Sequence, residues 1–337
     1  MFRPWGLLDW TLRLSQRRRW QFLGCLGTEE RSITTFVSLA KQGLLSRKQT
    51  LLRIEEPDSP YMREAKRAIR RREREYRHVR LRPMVITLPL LTPLLTLESV
   101  CEGFAGSVIL DITSLPKRYF FYFLKTFYNS ESIENLIITY TLPERYPDAP
   151  LTENHDLWDA LPSFRQPDPK KEELAHRRLI VNVGFIPNGI LAHLEGRAEE
   201  KQIDLIVPFP APIPAVQRTW RSLWALTSTP YEAHLNECRV EANDLSEAFE
   251  LILSLAPRDT NLVSFAPFGP KPISAAMCLY ASLTGSPVYY AQPKIYRPDY
   301  SLGVGRIDGV DAIYAYWIKH RNQKFFQLPS GRSYPTS

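Results

Sequence analysis

The 337-residue sequence holds no apolar run of about 18 residues, the length a membrane-crossing helix needs. Its closest approach, Pro83 to Leu97, is too short and is broken by Pro89 and Pro93. The N-terminus runs Met-Phe-Arg-Pro-Trp and reaches Arg17-Arg18-Arg19 without an uninterrupted apolar stretch or a small-residue cleavage site, so no secretory signal is expected. Cysteine is scarce. Cys25, Cys101, Cys238 and Cys278 are scattered with no CxxC pair, which predicts thiols in a reducing cytoplasm rather than a disulfide framework or a zinc site. Glycine is low at 15 residues and proline high at 28, so stiff, proline-marked loops are expected. GxxxxGK[ST], GxGxxG, GxSxG and HExxH are all missing, and Gly303-Val-Gly305 is a lone GxG. The six histidines (His78, His155, His176, His193, His234 and His320) have no metal-ligand spacing, so neither metal nor cofactor is expected.

What is present fits a cytoplasmic globular protein of two domains, at roughly 150 residues per domain. Hydrophobic residues make up 44%, aromatics 12% and charged residues 23%, too apolar a mixture for disorder. The formal net charge is +7, unevenly spread. Residues 1–80 carry 19 Lys and Arg against 9 Asp and Glu, while the other 257 carry 24 against 27. The whole basic excess therefore sits in the first quarter, much of it between Arg63 and Arg80. That asymmetry points to an anionic partner.

Apolar runs and helical periodicity alternate along the chain. Strands are predicted at Trp20–Gly27, Gln49–Ile54, Ser107–Ile112 and Asn135–Tyr140. Between them lie a helical pattern through Leu39, an Arg-rich helix that Ser59-Pro60 would start and that ends near Tyr76, and a helix over Tyr119–Phe127. The polar, proline-bearing stretch from Phe164 to Arg177 reads as a linker. Beyond it the alternation restarts, with strands at Leu179–Val183, Ile203–Val207, Asn261–Phe265 and Pro287–Tyr290 and a last strand at Asp311–Trp317. Helices are expected near Ile190–Glu199, Ala215–Leu226 and Ser274–Ser282. The expected architecture is α/β with mainly parallel sheets: an N-terminal lobe over residues 1–163, a linker over 164–177 and a C-terminal lobe over 178–337.

The two halves resemble each other. A strand in the first runs into Asp111-Ile-Thr-Ser-Leu-Pro-Lys117 and a helix, and a strand in the second runs into Ala266-Pro-Phe-Gly-Pro-Lys271 and a helix. The two Pro-Lys pairs lie 154 residues apart. Tyr140-Thr-Leu-Pro-Glu-Arg-Tyr146 and Tyr290-Ala-Gln-Pro-Lys-Ile-Tyr296 follow at an offset of 150. Gly27 aligns with Gly184. An internal duplication explains this order and offset. Loops at the carboxyl ends of strands in an open α/β sheet are where ligands bind, and a helix start with a Lys favours an anion. The alternative is that each Lys caps its loop in solvent.

The strand, Asp-x-Thr-x-x-x-Lys and helix sequence at Asp111–Lys117 resembles the ligand loop of CRISPR-associated Rossmann-fold (CARF) domains. Two such units in one chain look like the related SAVED domains of anti-phage systems. The resemblance implies two tandem Rossmann-like lobes sensing a cyclic oligonucleotide second messenger between them and signalling to a separately encoded effector. It also implies roles for individual residues. Lys117 and Lys271 would neutralise phosphates, Thr113 and Ser114 would donate hydroxyls, and Gly269 would line the ligand in the second half's loop. Thr28 to Ser32 and, in the other half, Asn188 would add polar contacts, and Tyr140 and Tyr290 would stack on bases or else pack in the core. The family's Gly-Gly-Thr-Lys loop is here Ser114-Leu-Pro-Lys117 and Phe268-Gly-Pro-Lys271, where proline stiffens the loop and removes an N–H. A metal-independent, ring-nuclease-like phosphodiesterase is the enzymatic alternative. The third reading is a structural subunit of a defence or nucleoprotein complex that works through its basic face. On that face Arg63, Arg67, Arg70, Arg71 and Arg74 form either a surface for RNA, DNA or acidic protein, or a merely solvated helix side.

Overall fold

The computed structural model describes residues 3–13, 18–55, 59–147, 152–155, 159–165, 178–184, 202–210, 224, 234–256 and 263–329. The chain divides by packing into two units. The first comprises Met1–His155 with Pro293–Phe325, and the second Asp156–Gln292 with Phe326–Ser337.

In the first unit the strands are β1 (Trp5–Leu7), β2 (Trp20–Cys25), β3 (Leu45–Glu55), β4 (Met84–Pro89), β5 (Gly106–Asp111) and β6 (Ile133–Thr141). The helices are α1 (Leu8–Arg13), α2 (Thr34–Lys41), α3 (Met62–His78), α4 (Leu94–Cys101) and α5 (Lys117–Asn129). β2 to β6 are mutually parallel and ordered β6-β5-β2-β3-β4. The chain walks outward from β2 to β4, then returns across β2 to β5 and β6, the doubly wound, Rossmann-like order with its reversal between β2 and β5. Near-continuous apolar strands such as Phe22-Leu-Gly-Cys25 and Val108-Ile-Leu110 are buried on both faces, as a covered parallel sheet requires. Trp20, Phe22, Phe36, Leu51, Ile109 and Ile137 form one core cluster. α5 is buried almost all round, from Tyr119 to Leu124 and at Phe127 and Tyr128, which places a helix of this composition in the interior.

The second unit contains β7 (Arg178–Asn182), β8 (Gln202–Pro208), β9 (His234–Val240) and β10 (Val263–Pro267), with helices α6 (Leu245–Leu255) and α7 (Lys271–Thr284). All four strands are parallel, in the order β9-β8-β7-β10, and Val288 adds a parallel bridge to Phe265. Each sheet thus places its parallel strands third, second, first, fourth, with the reversal between the first and the fourth.

Several expectations need correction. The last strand, β11, spans Ile313–His320 and does not belong to the C-terminal lobe. It pairs antiparallel with β6 and with β1, completing the first sheet, and Gln323–Lys324 pairs with it as an eighth strand. Its apolar residues, among them Trp317, fill the first unit's core. Pro293–Tyr296 likewise pairs with Thr152–His155 inside the first unit. The Arg-rich helix starts at Met62 rather than at Ser59-Pro60, because Ser59 offers its carbonyl, not its side chain, to the Met62 N–H (3.2 Å). Between the second and fourth parallel strands of each unit, β4 and β9 are edge strands that the apolar-run reading passed over. The helices expected near residues 190–199 and 215–226 lie outside the described residues, except residue 224, as does most of the 164–177 linker.

Candidate functional site

At the first unit's reversal, the turn after β2 faces the loop after β5. A Cβ built on Gly27 would sit 3.2 Å from the Ser114 Cβ, so the loops pass closely. Asp111, buried at the end of β5, accepts from the Thr113 N–H (3.1 Å) and from its hydroxyl. The Thr113 oxygen in turn accepts from the Thr141 N–H at 2.9 Å. The single hydroxyl proton of Thr113 is thereby spent on Asp111, and the Asp-x-Thr turn ties the ends of β5 and β6 together. Ser114 donates to Glu29 Oε1 (2.9 Å).

The other oxygen of Glu29 anchors a network absent from the sequence reading. Oε2 accepts from Arg31 Nε (2.9 Å) and from the Ser301 hydroxyl, and lies 2.8 Å from a second Arg31 nitrogen. Arg31, only 2% exposed, also donates to the Thr141 carbonyl (2.9 Å), and its guanidinium stands 5.4 Å from the centre of the Tyr140 ring. Burial pulls this guanidinium down, but the Glu29 carboxylate, then Tyr140 and Tyr146, outweigh it and hold it well above its ordinary range. Burial likewise raises the Tyr146 and Tyr300 phenols, so both stay neutral. The turn that carries Arg31 is a short 3-10 segment, Glu30–Ile33. The sequence signal for this network is the Glu29-Glu30-Arg31 charge cluster, two residues past an apolar strand end. Ser301 was unreadable, since it is 270 residues from Arg31.

The two Lys-bearing junctions share one geometry. Pro116 caps α5 at φ −54°, ψ 147° and Pro270 caps α7 at φ −53°, ψ 145°, neither with a side-chain cap bond, and Lys117 and Lys271 are the first helical residues. Lys117 is buried (7% exposed) and Lys271 half-buried, so neither is a freely solvated cap. Pro272, second in α7, has no N–H, which leaves that helix start fewer donors than α5. At the second unit's reversal the backbones touch. A Cβ on Gly184 would meet the Gly269 Cα at 2.4 Å, and one on Gly269 would meet Asn182 Oδ1 at 2.0 Å. The Asn182 amide locks the junction by donating to the Pro270 carbonyl and the Ser274 hydroxyl, both at 3.0 Å.

Of the remaining expected site residues, Thr28 is half-buried and Ser32 is buried, donating to the Gly27 carbonyl at 3.3 Å. Tyr140 is buried with its hydroxyl 3.5 Å from that of Tyr146, and Tyr290 is half-buried and stacked on Phe268 with ring centres 5.7 Å apart. Asn188 lies outside the described residues. Gly303, at φ +66°, abuts Glu144 and makes the GxG a packing turn. On α3, Arg63, Arg67, Arg70, Arg71 and Arg74 are all exposed. Arg72 turns inward to Glu75 (2.8 Å) and Glu30 (3.9 Å). Among the described residues no group of three or more His, Cys, Asp or Glu is placed to hold a metal, and no helix is long and apolar enough to cross a membrane.

No protein-family model matches the chain, and no curated protein does. A crystal structure of a putative universal stress protein from Pseudomonas aeruginosa UCBPP-PA14 aligns over 83% of this chain and 95% of its own, at 14% identity and a TM-score of 0.24. A likeness of that size carries no argument.

Proposed function

We propose that the protein is a sensor or regulatory subunit that binds an anionic, nucleotide-type ligand at its Pro-Lys junctions and signals to a separately encoded effector. The observation that carries this reading is the pairing of the junctions. Two sheets of like strand order each present, beside the reversal, a strand end, a proline cap and a Lys opening a buried helix. The reversal is where open α/β sheets bind ligands, and a Lys at a helix start adds full charge to the helix dipole. Internal duplication of an ancestral unit accounts for the match. The resemblance to CARF and SAVED domains extends the proposal to a cyclic oligonucleotide messenger in anti-phage defence.

Native mass spectrometry of the freshly purified protein, repeated on Lys117→Ala/Lys271→Ala, tests it. A co-purifying phosphorylated species that the double variant loses supports the reading. Failure of cyclic and linear oligonucleotides to bind at high micromolar concentration in calorimetry overturns it. Conversion of bound ligand to linear products, abolished in Lys117→Ala, would assign the phosphodiesterase chemistry instead. One observation favours the structural-subunit reading: all five arginines singled out on α3 are exposed.

A further inference from the structure

The region joining α3 to β4 combines three features that neither the ligand loops nor the exposed arginines of α3 explain. The first is an unguarded sheet edge. β4 is the outermost strand of its sheet, and among the described residues nothing pairs with its outer side. Its sequence, Met84-Val-Ile-Thr-Leu-Pro89, contains no charge, whereas the corresponding edge strand β9 carries Glu237 and Arg239. Natural sheets usually block such edges with charges, bulges or prolines, and here prolines stand only at the ends, at Pro83 and Pro89. The second is exposed apolar surface. Met84 is 62% and Val85 38% exposed on the strand, with Leu91 and Leu95 at 54% and 77% just beyond it. The third is a groove of about 750 Å³ lined by Tyr76, Arg77, Arg80, Leu81, Arg82 and Val85, with no Asp or Glu among its described lining residues.

Arg80 is the telling residue. It follows the last turn of α3 at φ +56°, the left-handed region that glycine occupies without steric cost. Its N–H donates to the Arg77 carbonyl (2.9 Å) and that of Leu81 to the Tyr76 carbonyl (3.4 Å), the bond pattern of a helix terminus that glycine commonly fills. An arginine thus holds a position that glycine would fill without steric cost, and it lines the groove.

We propose that the β4 edge and this groove form a docking site for an extended segment of a partner protein with alternating acidic and apolar side chains, added to the sheet as a strand on β4. Main-chain bonds to the open edge would supply affinity. On the groove's face, which Val85 shares, Arg77, Arg80 and Arg82 would meet the acidic side chains, and on the opposite face of the strand Met84 would meet the apolar ones. A nucleic-acid backbone would match the charge but would leave both the open ladder and the apolar residues unused. Strand addition uses all three features.

The test uses the intact chain and a fluorescein-labelled decapeptide alternating glutamate and valine. The expected result is saturable binding with slowed amide exchange over residues 84–89. Affinity should fall at least about tenfold in Arg80→Gly, which keeps the backbone conformation, and in Arg82→Glu. The same peptide N-methylated at alternate residues, which cannot extend the ladder, should bind at least about tenfold more weakly to the unaltered protein. Equal binding of the N-methylated peptide overturns strand addition. So does an RNA duplex that outcompetes the peptide at this surface, or self-association that protects residues 84–89 without peptide. None of these outcomes depends on Lys117 or Lys271, so the docking site stands or falls apart from the ligand proposal.

Discussion

Removing Arg31 should unfold the first unit far more readily than removing an exposed arginine. In Arg31→Met, Glu29 keeps the Ser114 and Ser301 hydroxyls but loses the guanidinium 2.8 Å away, and the Thr141 carbonyl loses a donor. At an effective dielectric of about 20 a contact near 4 Å is worth about 4 kcal/mol, and breaking one side of a buried pair typically costs about 3–5 kcal/mol. For a unit of this size each kcal/mol moves the midpoint by about 2–4 °C, so the loss corresponds to roughly 8–16 °C. The assay is urea and thermal unfolding, with amide exchange of β2 and β5 locating the change in the first unit. Glu29→Gln/Arg31→Met, which removes both charges, should cost less than Arg31→Met alone. A loss below about 1 kcal/mol in Arg31→Met, or strict additivity in the double variant, would refute the view that the pair is coupled and desolvated.

Three further outcomes follow from the geometry. Gly269→Ala forces a Cβ to within 2.0 Å of the buried Asn182 side chain and should cost the second unit about 1–3 kcal/mol, read as faster amide exchange in β10, whereas Gly27→Ala meets only a 3.2 Å contact and should cost less. Burial, with Glu98 adding and Lys48 opposing, pushes the Cys101 thiol up to about 12, so iodoacetamide at pH 8 should label it only under unfolding conditions. Burial, opposed by Asn236 and Arg178, raises Asp204, so the folded second unit holds that proton to higher pH than the unfolded chain. Its contribution to stability is then greatest at acid pH and fades as pH rises through the raised value, and Asp204→Asn should flatten this trend in amide exchange of β8 measured across that range.

The parallel core was legible because strands buried on both faces, such as Val108-Ile-Leu110, are apolar without interruption. Edge strands were not. β9, with Asn236 and Glu237 side by side, is neither a continuous apolar run nor a regular alternation, and β4 hides between prolines in a run that also contains the start of α4. α6 left a signal that went unused: Asp244 accepts from the Glu247 N–H (2.8 Å) while Glu247 reaches back to the Glu241 N–H (3.0 Å). At the candidate site, local chemistry was readable and partnership was not. The Pro-Lys helix starts were found from spacing. What Thr113 and Ser114 bond was not, because their partners Asp111 and Glu29 could equally have faced solvent. Arg72, indistinguishable from its neighbours in a run of arginines, proved to be the one turned inward.

The return of β11 to the first sheet also bears on how the chain is made. Residues 156–292 are inserted between two parts of one unit, so β6 emerges from the ribosome long before its antiparallel neighbour. At about 5–20 residues per second the chain from Thr141 to Ile313 takes roughly 9–34 s. For most of that time Glu29 and Arg31 lack Ser301, and throughout it Trp20 lacks the Trp317 ring that packs 5.7 Å away. The inserted unit, whose four parallel strands are all in hand by residue 267, has everything its sheet needs first. The first unit has its five parallel strands by residue 141 yet gains its antiparallel edge only after the second unit's four strands are made, so of the two sheets the one begun first is completed last.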